Sequence, residues 1–283
     1  IDRNFKIRDA ESIKPFVDKL LDREINSQQD VFEWLEDYSE LESVIGEDFN
    51  HRYVAMTCDT KDKEKENAYL SFVREIQPKL TEWSHVLNKK YYGLECRNQL
   101  DKKRYGRLDR IISTQIELYE EKNIPLDVKL SEMSQKYQSI TGAWMVEFDG
   151  KKQTMPQMIR YLYKTDRSIR ESAWRASADR RLADSSALEE LFDNMLKIRY
   201  NYAQNLNLKD YREFCFKSKL RDYTAEQCFE FHDSIEKAAV PVVKRIFEKR
   251  REKMNLNKLR PWDTVVDPLS RPPLEPFKEV NEL

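Results

Sequence analysis

Glycine is scarce in this sequence, since only five of its 283 residues are glycine, whereas 36% are Asp, Glu, Lys or Arg. Glycine-rich loops let backbone N–H groups approach phosphates closely, so their absence weakens a nucleotide-binding interpretation. The patterns G-x-G-x-x-G, G-x-x-x-x-G-K-[ST] and G-x-S-x-G are missing as well. Nucleotide chemistry and the common serine-hydrolase arrangement therefore lose most of their support.

Long apolar runs and paired cysteines are also missing. No stretch approaches the roughly 20 apolar residues of a membrane span, and no basic-then-apolar signal pattern follows Ile1. Cys58, Cys96, Cys215 and Cys228 contain no C-x-x-C pair, which favours reduced thiols over a zinc or disulfide framework. We expect a cytoplasmic protein with no membrane partner.

No excess of charge of one sign is present: 50 Lys and Arg oppose 51 Asp and Glu, which gives a net charge of −1. Binding to nucleic acid phosphates requires a basic surface. The most basic stretch, residues 249–253, is typical of a solvated helix face. The sequence therefore predicts no nucleic-acid partner.

Apolar residues recur at helical spacing along most of the chain. Thr224 and Gln227 have the spacing of a capping box at a helix start, and Asp166 can cap another helix. Before both of these helix starts, the alternation of Trp144, Val146 and Phe148 ahead of Asp149-Gly150 is typical of a hairpin. We predict a mainly α fold, a multi-helix scaffold with one small β-hairpin near residues 142–154.

Glycine and proline predict where helices end or bend. We expect Gly46 to end the second helix and Ile124-Pro125 to end another. Pro78 is expected to kink or briefly break the third long helix, and Pro241 to kink the helix that follows Thr224. The helix before that one is expected to bury a stripe: Leu188, Leu191, Phe192, Met195, Tyr202, Ala203 and Leu206.

The histidines provide no recognisable metal site. His51, His85 and His232 lie far apart, and none begins H-E-x-x-H, the spacing that places two imidazoles one helical turn apart. We assign no metal ligand and no catalytic residue. A separate group of arginines could grip a peptide carboxylate, although internal ion pairs with Asp166, Glu171 and Asp179 are more economical: Arg167, Arg170, Arg175, Arg180 and Arg181.

A series of short segments carries more information than any one of them. In chain order these are Ala55-Met56-Thr57-Cys58-Asp59-Thr60, Pro78-Lys79-Leu80, Thr141-Gly142-Ala143, Asp149-Gly150-Lys151, Asp166-Arg167 with Arg170-Glu171 and Ala173-Trp174, Arg199 with Ala203, Asp210-Tyr211-Arg212, Arg221-Asp222-Tyr223-Thr224 and Leu259-Arg260-Pro261-Trp262-Asp263. Together they resemble the oligoendopeptidase-F branch of the thimet-oligopeptidase family of zinc metallopeptidases.

The resemblance implies a mostly α-helical enzyme whose deep channel admits unfolded peptides. Zinc in the family is held by an H-E-x-x-H helix and a further glutamate, and the motif glutamate activates the bound water. The family places that helix after the segment resembling residues 259–276, whereas this sequence stops at Leu283 and begins at Ile1 rather than Met. We expect a fragment cut at both ends, which binds no zinc and is inactive alone.

The leading hypothesis is that residues 1–139 form an N-terminal helical domain and residues 140–283 lead into a catalytic domain that this chain lacks. The chain would form one channel wall of a zinc-dependent oligopeptidase that hydrolyses short peptides. The alternative is a non-catalytic helical module that binds peptides or a partner. An H-E-x-x-H downstream of Leu283 would favour the first hypothesis, and a natural stop codon there the second.

Two residues and one surface complete the predictions. The proline before Trp262 and Asp263 disfavours helix, so Trp262 can bury a large surface while Asp263 caps a turn or pairs with an arginine. Structural anchoring is our favoured role, and lining of the substrate channel the alternative. A helix face carrying Phe231, Ile235 and Val242, near the tail at 261–276, is expected to dock the missing half or to cause self-association.

Overall fold

The computed structural model describes residues 1–2, 5–274 and 277, and the protein is mainly α with one small hairpin, as predicted. It divides into two units: unit 1 comprises residues 1–142 and 190–222, and unit 2 comprises residues 143–189 and 223–283. The division at 139 and 140 into independent domains stays a prediction. Within the described ranges, no helix combines the length and the apolar character that a membrane crossing requires.

Unit 1 is a set of helices packed around a core that contains Trp34. Its helices are α1 (Lys14–Asp22), α2 (Gln28–Cys58), α3 (Lys63–Ser71), α4 (Gln77–Tyr92), α5 (Lys102–Glu117), α6 (Ile124–Gly142), most of α9 (Ser185–Asn205), and α10 (Tyr211–Ser218). Trp34 is fully buried, and its Nε1 donates a hydrogen bond of 2.9 Å to the Leu20 carbonyl. That bond ties the C-terminal half of α1 to α2 while satisfying the indole N–H.

Helix α2 begins at a capping box and does not end at Gly46. Ser27 and Asp30 form a complete capping box at its start. The helix then continues for 31 residues to Cys58, so the predicted end at Gly46 is wrong. Glycine inside a helix costs only about 1 kcal/mol, and burial of Leu41 and Met56 on either side of it supports the helix.

Two prolines lie in the first turns of helices. The interruption expected near Pro78 takes the form of one π-helical turn at Phe72–Ile76, which continues without a gap from α3 into α4, where Pro78 lies in the first turn. Ile124-Pro125, predicted to end a helix, instead begins α6, so that prediction is wrong. Proline is tolerated in a first turn because the N–H that it lacks has no partner there.

Unit 2 begins with the predicted hairpin. Strands β1 (Met145–Phe148) and β2 (Lys151–Thr154) pair antiparallel, with Met145 opposite Thr154. The two turn residues have positive φ angles, 56° at Asp149 and 68° at Gly150. This backbone geometry matches the right-handed strand twist, which explains why the Asp-Gly pair closes the hairpin.

Three helices follow in unit 2: α7 (Met155–Ile159), α8 (Arg167–Leu182) and α11 (Ala225–Lys253). Thr154 opens α7 and Thr224 opens α11 through capping boxes, and Asp166 caps α8. Helix α11 continues past Pro241, and none of its residues, all of them described, is buried. In α9, Leu191, Tyr202 and Ala203 are buried as predicted, whereas Phe192 is exposed, so the buried stripe is narrower than predicted.

Candidate functional site

Asp263 lies at the centre of an arginine cluster in unit 2. It ends a single helical turn, Pro261–Asp263, and is 0% exposed. Its Oδ1 accepts hydrogen bonds from Arg167 Nε (3.0 Å) and Arg170 Nη2 (3.1 Å). Its Oδ2 accepts from Arg167 Nη2 (2.9 Å) and from the Arg260 backbone N–H (3.0 Å). One buried carboxylate is thus held by two side chains of α8 and by its own turn.

Arg170 supplies the other half of this connection. Its side chain is 2% exposed, and its Nε donates to the Trp262 carbonyl at 3.0 Å. Its Nη1 donates to the carbonyls of Lys164 (3.0 Å) and Thr165 (2.8 Å), just before α8. A guanidinium can be buried when its N–H groups are paired in this way. Arg170 therefore fixes the start of α8 to the turn that carries Asp263.

The charges around Asp263 set its ionisation. Burial by itself raises the pKa of a carboxyl group. Hydrogen bonds from Arg167, from the Arg260 backbone and from Arg170 oppose that effect and hold the pKa of Asp263 below its usual value. The carboxylate is therefore ionised at neutral pH and acts as a fixed anion rather than as a proton donor or acceptor.

Trp262 packs in the same cluster. Its ring centroid lies 5.4 Å from that of Trp174, and the guanidinium carbons of Arg167 and Arg175 lie 5.8 Å and 5.1 Å from it. These are distances for cation–π attraction. Trp262 is buried, and its Nε1 has no hydrogen-bond partner among the described residues. Its contacts are those of an anchor, and the channel-lining role of Trp262 and Asp263 stays a prediction.

Internal pairing of the arginines is found, but with different partners from those expected. Arg175 pairs with Glu171 at 2.8 Å, as predicted. Arg167 and Arg170 pair with Asp263, whereas the Asp166 carboxylate accepts the Ser168 N–H and caps α8. The three-residue spacing of Arg167 and Arg170 places both on one face of α8, so both can reach the same carboxylate.

A second polar network, which the sequence did not reveal, links the hairpin to the 3₁₀-helical turn Arg160–Tyr163 that follows α7. Buried Gln153 donates from Nε2 to the Tyr161 hydroxyl (3.1 Å) and accepts from Arg160 Nη2 (3.1 Å). Tyr161 in turn donates to Asp149 Oδ2 at 3.4 Å. Asp149, Arg160 and Tyr161 border an open concavity of about 480 Å³, to which Lys164 also contributes. The network provides cations and phenols at a surface, and it has the polarity of a contact site for peptide carbonyls or a carboxylate.

The zinc that the resemblance implies does not fit the donors present. Within residues 1–2, 5–274 and 277, no three His, Cys, Asp or Glu side chains are grouped so that they could hold a metal ion. His85 instead stacks on Tyr119 with ring centroids 3.6 Å apart, and burial lowers the pKa of His85. No catalytic step is therefore derived from zinc on this chain.

Two family models match the sequence. The Peptidase M3 N-terminal domain matches residues 2–119, and Peptidase family M3 matches residues 160–281. By its helical fold and its two matched segments, this chain is related to peptidases. It belongs to peptidase family M3, whose members are in general zinc metallopeptidases, and this confirms the resemblance seen in the sequence. Among curated proteins, no significant match was found.

Solved structures of peptidases share the fold. PZ peptidase A, in complex with an inhibitor, has a TM-score of 0.87 at 20% identity, covering 95% of this chain and 48% of that one. A structure from Bacillus anthracis str. Ames that is assigned as an oligoendopeptidase F has a TM-score of 0.85 at 19% identity. The match covers 93% of this chain and 49% of that one. Oligoendopeptidase-F from Enterococcus faecium has a TM-score of 0.67 at 11% identity, and the match covers 92% of this chain and 55% of that one. This chain thus spans about half the length of these relatives.

Proposed function

We propose that this chain supplies the N-terminal helical part of a zinc-dependent oligopeptidase and forms one wall of a channel in which short peptides are hydrolysed. The observation that carries the proposal is the pairing of two facts. The chain matches peptidase family M3 at both ends, yet it spans about half the length of the solved relatives. The zinc ligands and the general base are assigned to the other half.

The lack of a donor group supports this division of labour. Structural or catalytic zinc needs at least three protein ligands within about 2.0–2.3 Å, and the described residues offer no such set. What they do offer is rigidity, because the buried Arg170–Asp263 pair holds α8 to the turn at 261–263. A rigid wall positions a substrate without taking part in bond breaking.

Exposed apolar side chains on α11 provide a docking surface for the missing half. Phe231, Ile235 and Val242 are all exposed, and Phe231 is 63% accessible. Pro276, the end of the tail that we expected beside this surface, lies outside the described residues. Since an amphipathic helix normally hides its apolar stripe, we assign this face to the catalytic half, with self-association of the chain when that half is absent.

Activity measurements test the proposal. The purified 283-residue chain should neither cleave a quenched fluorescent peptide nor retain stoichiometric zinc after dialysis. Adding a separately expressed polypeptide from the continuing reading frame, carrying H-E-x-x-H, should restore turnover that a chelator abolishes. Chelator-sensitive turnover by the 283-residue chain alone would overturn the proposal. A natural stop codon after Leu283 would favour the non-catalytic binding module instead.

A further inference from the structure

Unit 1 contains a cleft whose lining residues include none of the arginine cluster around Asp263. Its volume is about 490 Å³, and its walls come from α2, α4, α5, α9 and α10. Small-ligand sites generally measure about 300–1,000 Å³ and combine apolar walls with a few polar groups. This cleft has that composition: Leu80, Ile111 and Leu118 line it beside Glu42 and Gln77.

Glu42 makes the cleft acidic. It is the one carboxylate among the described lining residues, and neither lysine nor arginine is among them. In the described part of the chain, no basic group lies within ion-pair distance of Glu42. Glu42 is exposed at the cleft, and partial burial of its side chain raises the pKa of the carboxyl group. A cation that enters the cleft would therefore meet a carboxylate with no basic partner among the described residues.

Two further polar atoms on the cleft walls have no partner. Gln77 Oε1 and His85 Nδ1 are buried and make no hydrogen bond. Native proteins pair almost all such atoms with protein, water or ligand. By contrast, Asn88 on the same wall is engaged, since it accepts from Tyr38 at 3.4 Å and donates to Gln115 at 3.0 Å. The unpaired groups are an amide oxygen and an imidazole nitrogen, and an amide oxygen requires an N–H or O–H donor.

We propose that this cleft binds the amino end of a short peptide. The terminal ammonium pairs with Glu42, peptide N–H groups face the wall that carries Gln77, and the first side chain packs against Leu80, Ile111 and Leu118. The chemistry of the cleft selects a primary ammonium attached to an apolar group. The choice of a peptide over another such amine rests on the proposed function.

Calorimetric titration of the 283-residue chain with Leu-Phe-amide and with N-acetyl-Leu-Phe-amide tests the assignment. Acetylation removes the positive charge and keeps both side chains, so we expect the acetylated probe to bind at least ten-fold more weakly. Glu42→Gln keeps the side-chain shape and removes the charge, so it should weaken the binding of Leu-Phe-amide by a similar factor. Glu47→Gln, an exposed change on the same helix outside the cleft, should leave the affinity unchanged.

Equal affinity for the two probes, or no measurable affinity for either, would overturn the proposal. An unchanged affinity of Glu42→Gln, with its thermal unfolding like that of the unmodified chain, would also overturn it. The comparison of probes needs no variant, so a misfolded variant cannot hide the answer. Binding is measured here without turnover, so a negative result leaves the proposed channel-wall function in place.

Discussion

The guanidinium of Arg167 and the carboxylate of Asp263, 96 residues apart in the sequence, meet through two parallel hydrogen bonds of 3.0 and 2.9 Å. This fork geometry is the strongest common form of ion pair between side chains. The two side chains differ in solvent exposure: Arg167 is 40% exposed and Asp263 is 0% exposed. The carboxylate is thus the group that cannot regain water if its partners are lost.

Asp263→Asn should therefore destabilise the protein. Removing one partner of a buried ion pair typically costs about 3–5 kcal/mol, because the remaining charge is left uncompensated. Here Arg170, 2% exposed, keeps its charge inside the protein. Urea denaturation should show a loss of this size. Glu171→Gln, which removes the exposed pair with Arg175, should change the free energy of unfolding by about 1 kcal/mol or less.

The anchoring role of Asp263 would be contradicted by two results taken together. In a full-length active enzyme, Asp263→Asn would have to lower turnover greatly while leaving the free energy of unfolding unchanged. That outcome would favour channel lining. Loss of stability with turnover retained under conditions where the variant stays folded would support anchoring.

The stabilisation by Asp263 should depend on pH. Its pKa is lowered in the folded protein, so its contribution is fully present above the unfolded-state pKa of about 3.9. The contribution is then lost as the pH falls through the folded-state value. Urea denaturation at pH 6, 5, 4 and 3 should show the difference between the unmodified chain and Asp263→Asn narrowing below about pH 4. A constant difference over this range would contradict the assignment.

Asp127 should behave in the opposite way. Its burial raises the pKa to about 6, despite a 3.3 Å hydrogen bond from the Tyr202 hydroxyl. A raised pKa favours the protonated carboxyl in the folded state, so this contribution is present below the unfolded-state pKa and is lost as pH rises through about 6. Asp127→Asn, which is neutral, should stabilise the protein by about 1–3 kcal/mol at pH 8.

Acidic pH provides the control for this variant. Near pH 4 the carboxyl of Asp127 is protonated in the folded protein, so Asp127→Asn should have a stability close to that of the unmodified chain. A stabilisation of equal size at pH 4 and pH 8 would mean that packing, rather than charge, is responsible.

Gly46 and Gly150 should respond oppositely to alanine. A Cβ added at Gly46 would meet no atom within 4 Å, and alanine in a helix interior is favoured over glycine by about 0.5–1 kcal/mol. Gly46→Ala should raise the thermal unfolding temperature. Gly150 has a φ of 68°, a left-handed conformation that costs alanine about 1 kcal/mol. Gly150→Ala should therefore lower the thermal unfolding temperature. Two changes of the same sign would contradict the assigned backbone roles.

Local contacts made the helix starts predictable. The capping box at Thr224 and the Asp166 cap depend on hydrogen bonds that span two or three residues, which a short stretch of sequence contains. Whether the helix continues through Gly46 depends instead on packing against distant residues. A proline such as Pro125 is compatible both with the first turn of a helix and with the segment after a helix ends, so the sequence did not decide between them. The sequence signal at these sites was therefore ambiguous.

The candidate sites were less predictable than the helices. An arginine partner for Asp263 was a stated possibility of the sequence, but nothing in it identified Arg170, 93 residues away. The cleft around Glu42 was not predicted at all, because its walls come from five helices that no local pattern brings together. Residues that are this far apart in the sequence come into contact only in the folded chain, so their pairing could not be predicted from the sequence.

The separation of Arg170 from Asp263 also has a consequence during synthesis. A ribosome adds about 5–20 residues per second, so the 93 residues between them take about 5–19 s to appear. During that interval Arg170 is already part of the nascent chain, but the carboxylate that pairs with it is not. The buried Arg170–Asp263 ion pair can therefore form only after residue 263 has been added.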